Sequence, residues 1–291
     1  MTASNIPAAE QHFAERPDWH GYLQRMSKPL QEKLKMARYI PANATHFLDV
    51  GCADGTVTMA LAEMFPHIQF LGIDLDRKFI DLANEHAQER GLKNVRFRCV
   101  YLRQLLEEPQ RFHVVQFMSV DHEFWSYGEG ISSVVKAKAD AHELLFVGGR
   151  IFTRDMIASR FSQTSTFRVD TMRAKILAGA KPHMVRDFVE LYGELDNLCN
   201  INHFLLKYMY EENWKLELRE NYLAVFVEDH DAIYRLLEMQ KLVDVASRIP
   251  YLNNKWVEDF GLDEVEREQL VTTRIIVAEK VISHPARFRT R

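Results

Sequence analysis

Cysteine is scarce in this 291-residue chain: Cys52, Cys99 and Cys199 stand far apart, with no Cys-x-x-Cys pair. That pattern excludes a disulfide-stapled scaffold and reads as three reduced thiols. The 12 histidines are scattered, without His-x-x-x-His or a His/Cys group at ligand spacing, so no metal site is expected. No apolar run is long enough to span a bilayer, and no charged start leads into an apolar stretch at the N-terminus. A cytoplasmic protein without a membrane partner is expected. Neither sign of charge dominates: 37 Lys and Arg against 41 Asp and Glu leave a formal charge of −4, which argues against a strongly electrostatic nucleic-acid binder. The basic end 286–291 reads as a solvated tail. Internal repeats and low-complexity linkers are absent as well, which favours one extended domain.

What is present is concentrated in residues 45–76. Two short apolar runs, His46–Val50 and Gln69–Asp74, flank Thr56–Met64, whose apolar positions recur at helical spacing, and a glycine-bearing turn precedes that helix. Strand, tight turn, helix, strand is the opening unit of a parallel α/β sheet. Ligands bind beyond the carboxyl ends of such strands, which is where Gly51 and Gly55 fall.

The turn Asp49-Val50-Gly51-Cys52-Ala53-Asp54-Gly55 resembles the first motif of the class I S-adenosylmethionine (SAM)-dependent methyltransferases. Asp74, ending the second run, takes the place of the acidic residue that binds both ribose hydroxyls in that family, a task that suits a carboxylate. A nicotinamide cofactor would need Gly-x-Gly-x-x-Gly to seat a pyrophosphate; here the turn reads Gly-x-Ala-x-Gly with Asp54 in it, which serves an anion poorly, while Asp49, and Asp54 after it, would attract the cationic sulfonium and ammonium of SAM. The resemblance implies an α/β fold: a seven-stranded, mostly parallel Rossmann-like sheet with helices on both faces and helical insertions in the C-terminal half. It divides the chain into an N-terminal arm and helices over the cofactor site (1–40), a SAM-binding core (41–155), and inserted helices with the last strands (156–291). The implied cofactor contacts are Asp49, Gly51, Cys52, Ala53, Asp54, Gly55, Asp74, Leu75, Tyr101, Leu102, Met118 and Ser119. Many members place an aspartate after the third strand to bind adenine; here Tyr101-Leu102-Arg103 stands there, so a backbone group or the Tyr101 ring must serve.

Along the rest of the chain, a helix beginning at Pro17 carries the apolar stripe Trp19, Leu23 and Met26, and a second, capped by Ser27 with Pro29 in its first turn, packs Leu30, Leu34 and Ala37 on the sheet. Residues 78–90 read as a helix stopped by Gly91, 95–100 as the third strand, 113–118 as the fourth, 131–145 as a helix and 150–155 as the fifth strand. Further helices are expected around 171–177, 182–195 and 196–212, a strand over 214–227, a helix over 229–249 and a last strand over 271–280. The sixth and seventh strands, a hairpin in the family, would then be parted by an insertion over 228–270 that forms an acceptor pocket or an oligomer contact. Tyr192, Phe204, Tyr208, Tyr210 and Trp214 line that pocket or simply pack helices together.

The loop after the fourth strand, where the family faces the transferable methyl, contains His122, Glu123 and Tyr127. A narrower set of bacterial methyltransferase-like proteins shows a similar Ser-Ser-x-x-His-Glu and Ser-Tyr-Gly pattern, with Met118 replacing the first serine here. The Asn/Asp-Pro-Pro-aromatic signature of amino-methyltransferases is absent. Methyl transfer is an in-line displacement that needs the nucleophile held roughly 3 Å from the methyl carbon. A hydroxyl acceptor must also lose a proton, and His122 is the candidate base. Glu123 or Asp155 would orient it or bind the acceptor, and Tyr127 would shape the methyl-facing wall. Arg154 and Asp155 form an opposed charge pair at the active edge, read equally as a structural ion pair. The expected function is methyl transfer from SAM to oxygen or nitrogen of a small molecule. The alternatives are other SAM chemistry, such as aminocarboxypropyl transfer or cyclisation releasing methylthioadenosine, and a SAM-binding module without turnover.

Overall fold

The structure, a computed structural model, describes residues 29–281. The expected helix from Pro17, its apolar stripe, the Ser27 cap and the basic tail lie outside the described residues. In chain order the first elements are α1 (Leu30–Leu34), β1 (His46–Val50), α2 (Thr56–Met64), β2 (Gln69–Asp74), α3 (Arg77–Glu89), β3 (Val95–Cys99) and β4 (Phe112–Met118). Then come α4 (Asp121–Tyr127), α5 (Ile131–Leu144), β5 (Leu145–Asp155), α6 (Val169–Gly179), α7 (Pro182–Tyr192) and α8 (Leu198–Tyr208). The chain closes with α9 (Trp214–Glu217), α10 (Val227–Leu236), β6 (Met239–Ser247), α11 (Pro250–Phe260), α12 (Glu264–Glu268) and β7 (Thr273–Lys280).

The seven strands form one sheet in the order β3-β2-β1-β4-β5-β7-β6. β1 to β5 run parallel, and β7 is antiparallel to both β5 and β6. Strand order reverses between β1 and β4, which makes their carboxyl ends the switch point where a crevice opens. Alternation along the strands sorts residues to two faces. Leu48, Val50, Ile73 and Phe117 pack with Ala137 and Ala141 of α5, whereas Phe47, Phe70 and Val114 pack with Leu61 and Ala62 of α2. Leu34 and Ala37 join the second of these layers, as their spacing predicts, although Pro29 sits just before α1 rather than inside its first turn.

Beyond β5 a separate core forms around Phe188, Phe204 and Trp256. Two expectations fail here. Residues 214–227 are not a strand but α9 followed by irregular backbone. Their alternating apolar residues are buried against α8 instead, and their carbonyls are satisfied by side chains rather than a ladder: Lys207 Nζ donates to the carbonyls of Glu217 and Glu220. The sixth strand is β6, inside the stretch read as one helix over 229–249. Its helical pattern ends at Leu236, Glu238 turns the chain at φ 52, and β6 then pairs along β7 as an exposed edge strand. Edge exposure removes the burial signal that marks the inner strands, so only the pairing identifies it. The insertion between the last two strands is accordingly shorter than expected, running from Arg248 to Thr272.

Candidate functional site

Three cavities meet at the carboxyl ends of β1, β2 and β4. The first, about 320 Å³, is walled by Gly51, Asp74, Leu75, Tyr101, Leu102 and Tyr127 among others. A second of about 100 Å³ is lined by Ser119, His122, Arg154 and the inserted helices. The third, about 30 Å³, lies against Asp49, Cys52, Ala53, Asp54 and Met118. Glu123 borders the first and second, Lys33 the second and third, and Gly51 the first and third. Of the expected site residues, Gly55 and Asp155 stand behind these walls.

The turn after β1 is built by backbone conformation. Gly51 has φ 70, and a Cβ there would meet Val120 Cγ2 at 2.7 Å. Gly55 has φ 72 and lies against the Phe97 ring, at 2.5 Å from where its Cβ would be. Ala53 takes the same left-handed region at φ 47 without being glycine, and Ser119 after β4 does so at φ 59. Such positions cost free energy and persist where the surroundings over-determine them. At Ala53 the constraint is visible: its N–H donates to Asp74 Oδ2 at 2.9 Å. Asp74 Oδ1 accepts from the N–H of Asp76 at 3.0 Å, so one carboxylate braces the turn and faces the first cavity. Burial pushes Asp74 up to about 6, with the two backbone donors limiting the rise.

Asp49 is committed to the protein itself: Thr58 donates to it at 2.6 Å and Gln116 at 2.9 Å. Burial raises its carboxyl despite those donors. The Cys52 thiol is likewise raised, by burial and then by Asp74, Asp49 and Asp54, and stays a thiol.

The loop after β4 turns out to be the short helix α4, anchored from below. Asp121 pairs with Lys138 of α5 at 2.8 Å, both fully enclosed, and Lys138 also donates to Thr153 at 2.9 Å. On the next residue, His122 Nδ1 lies 2.9 Å from Asp155 Oδ1, while Nε2 lies 3.5 Å from Glu220. Burial opposes a charged ring, but these two carboxylates outweigh it and hold His122 well above its ordinary range. Burial would raise Asp155 in turn, yet the imidazolium keeps it below the usual carboxylate value. Tyr127 Oη donates to Glu220 at 3.0 Å, and Tyr222 Oη donates to Glu217. One ligand atom each from His122, Glu123 and Glu220 lies within 4.8 Å of the others. The two carboxylates flanking His122 also favour its protonated form.

Sequence reasoning named His122, Glu123, Tyr127 and Asp155, and the structure places them around one cluster with Glu220. It missed Glu217, Glu220 and Tyr222, which come from the stretch misread as a strand, and Lys33, which stood in an ordinary amphipathic pattern. No local spacing marks any of these. It also paired Arg154 with Asp155, whereas successive strand residues face opposite sides and Asp155 bonds His122 instead.

Residues 41–156 match the family model described as a methyltransferase domain. The core is thus similar to a methyltransferase domain. Its match ends one residue beyond β5 and leaves the inserted helices uncovered. Among curated relatives, the ubiquinone biosynthesis O-methyltransferase of Coxiella burnetii is 32% identical over 108 residues, which is 35% of this chain and 44% of that protein. The tRNA (guanine-N(7)-)-methyltransferase of Microcystis aeruginosa is 31% identical over 86 residues, covering 30% of this chain and 33% of that one. The chain thus spans less than half the length of these relatives, whose names differ in acceptor. Solved structures share the fold more widely. An O-methyltransferase family protein from Burkholderia thailandensis aligns over 94% of this chain and 63% of its own at TM-score 0.56 and 13% identity. The plantazolicin methyltransferase BpumL, solved with SAH and a pentazolic desmethylPZN analogue, aligns over 94% of this chain and 95% of its own at TM-score 0.54 and 13% identity. No helix among the described residues is long and apolar enough to cross a membrane.

Proposed function

We propose that this protein binds SAM in the first and third cavities and transfers its methyl group to oxygen or nitrogen of a small molecule held in the second. The observation that carries this reading is Asp74. Each of its oxygens accepts one backbone N–H and retains acceptor capacity, and the carboxylate sits on the wall of a largely apolar cavity whose size falls in the ~300–1,000 Å³ range of small-molecule sites. That set suits a ribose diol beside an adenine: Asp74 for the hydroxyls, Ile73, Leu75 and Leu102 for the base, with no acidic residue from 100–102 among the wall residues. Asp54, whose carboxylate accepts from the N–H and hydroxyl of Thr56, joins Asp49 as an acidic group at the smaller cavity for a cationic end. When bound, SAM supplies a methyl group on a positively charged sulfur.

The chain's own part is to hold, orient and exclude water. Glu123 lines both the first cavity and the second, so the acceptor atom belongs beside it. Asp155 and Glu220 favour the protonated form of His122, which suits it poorly to take a proton; it fixes α4 and orients Glu220. Glu123, the carboxylate bordering both cavities, is the group we assign to receive an acceptor proton. The methyltransferase-domain match and the SAH bound by the BpumL neighbour support this assignment of cofactor. Calorimetric titration with SAM and SAH, followed by mass spectrometry of a SAM incubation with and without mixed small-molecule acceptors, tests it. Binding of both, SAM left intact alone, and SAH formed with an acceptor are expected. Methylthioadenosine without acceptor, or no binding of either, would overturn it.

A further inference from the structure

Arg154 is the anomaly of the second cavity. It is 2% exposed, it stands at the carboxyl end of β5, and its Nε and Nη2 have no hydrogen-bond partner among the described residues. Its sequence neighbour does not neutralise it by contact. Asp155 spends its oxygens on the ring and N–H of His122 and on the N–H of Met156 at 2.8 Å. Glu32, another acid that Arg154 feels, bonds Lys35 at 2.6 Å. The contrast with Arg98 is direct: on the surface, Arg98 grips Glu108 through two parallel bonds of 2.9 and 2.7 Å. The buried arginine lacks what the surface one has.

An unpaired guanidinium enclosed in protein is costly, and a buried charge left uncompensated is strongly destabilising. Burial draws Arg154 down to about 10. Lys33 borders the same cavity and is also buried; burial and then the nearby Arg154 draw it down to about 8. The buried guanidinium, with Nε and Nη2 unbonded, calls for an anion beside it. The geometry of the orphaned atoms specifies which kind. Nε–H and Nη2–H lie along one edge of the guanidinium plane and form the fork that matches the two oxygens of a carboxylate.

We propose that Arg154 receives the carboxylate of the methyl acceptor, so that the substrate class is small carboxylic acids whose reacting oxygen or nitrogen points toward Glu123. This rests on the methyltransferase reading above. The cavity between those two residues is bordered by Met156, Ile249, Leu252 and Tyr251, which suits an apolar or aromatic body. The acid end is gripped at β5, and the other end is presented at the border with the cofactor cavity.

The test uses the full-length protein saturated with SAH, titrated calorimetrically with benzoate and phenylacetate and with their neutral amides. The acids are expected to bind at least about tenfold more tightly than the amides. Arg154→Met should erase that preference, and Arg154→Lys should keep part of it, since an ammonium supplies the charge without the fork. The affinity for SAH should stay within about twofold in both variants. Equal binding of acids and amides, or binding of neither, overturns the proposal. So does a loss of SAH affinity in Arg154→Met with methylthioadenosine affinity unchanged, because the anion would then be the cofactor's own carboxylate. If Arg154→Met fails to fold, the acid-to-amide ratio of the wild type and of Arg154→Lys decides. Should SAH not bind at all, the methyltransferase reading fails, and the same ratio measured on the ligand-free protein still decides the role of Arg154.

Discussion

Residues 41–156 and the helical segment that follows them place their site groups by different means. In the first region the backbone is the instrument. Gly51, Ala53 and Gly55 all have positive φ, the Ala53 N–H is held by Asp74, and a side chain at Gly51 or Gly55 would collide with Val120 or Phe97. In the second region the instrument is the buried side chain. Lys207 of α8 holds the carbonyls of Glu217 and Glu220, Tyr222 holds the Glu217 carboxylate, and Tyr127 reaches across from α4 to Glu220. Backbone conformation restricts residue type at fixed spacing and leaves a motif. Side-chain networks joined across 93 residues of sequence, as Tyr127 and Glu220 are, leave none.

The comparison can be broken first through stability. Trp256 is fully buried in the second core, and Trp256→Ala should cost ~3–5 kcal/mol. Because β6 and β7 tie the chain's end back to β5, one urea transition is expected; two separate transitions would show that the regions fold independently. A smaller effect sharpens the cofactor side. On the proposed binding mode, Asp74→Ala removes two charge-assisted bonds to the ribose, each worth on the order of 1.5–3 kcal/mol at most. Calorimetry should show weaker SAM and SAH binding at little change in the acid-over-amide preference, and unchanged affinity would sink the ribose role.

The pH dependence comes next. Asp74 must be ionised to accept from both hydroxyls, and burial puts it at about 6. SAH affinity should therefore be level above that pH and fall as pH drops through it, approaching a factor of about ten per unit below. The fall should vanish in Asp74→Asn. The smallest effect is expected at Ala53, whose φ of 47 an L residue adopts at a cost. Ala53→Gly removes that strain while loosening the unfolded chain, for a net gain of about 0.5–1 kcal/mol read from the denaturation midpoint. A loss of stability there would show that the turn is held by contacts of the Ala53 side chain instead.

How far each region could be read in advance follows from the same physics. β1, α2 and β2 lie at the bounds expected, because strands covered on both faces are continuous apolar runs and the helix between them is amphipathic. β5 begins earlier than expected: its first residue pairs with Phe112, and the chain then bulges through Gly148 and Gly149 before pairing resumes at Arg150. The glycines signalled a turn and did not reveal that pairing continues on both sides of it. β6 was hidden because an exposed edge strand with Lys241 and Asp244 on it carries no burial pattern. Residues 214–227 misled in the opposite sense, since alternation arises whenever irregular backbone lies against a core.

The sequence by itself determined the α/β core, the turn from Asp49 to Gly55 and the place of Asp74, because those depend on backbone geometry over a few neighbouring residues. The tertiary structure alone decided that His122 lies between Asp155 and Glu220, that Glu220 lines the second cavity, and that Nε and Nη2 of Arg154 have no hydrogen-bond partner among the described residues. Charge state and pairing of buried groups are set by whatever the fold brings within a few ångströms, and sequence separation carries no record of that distance.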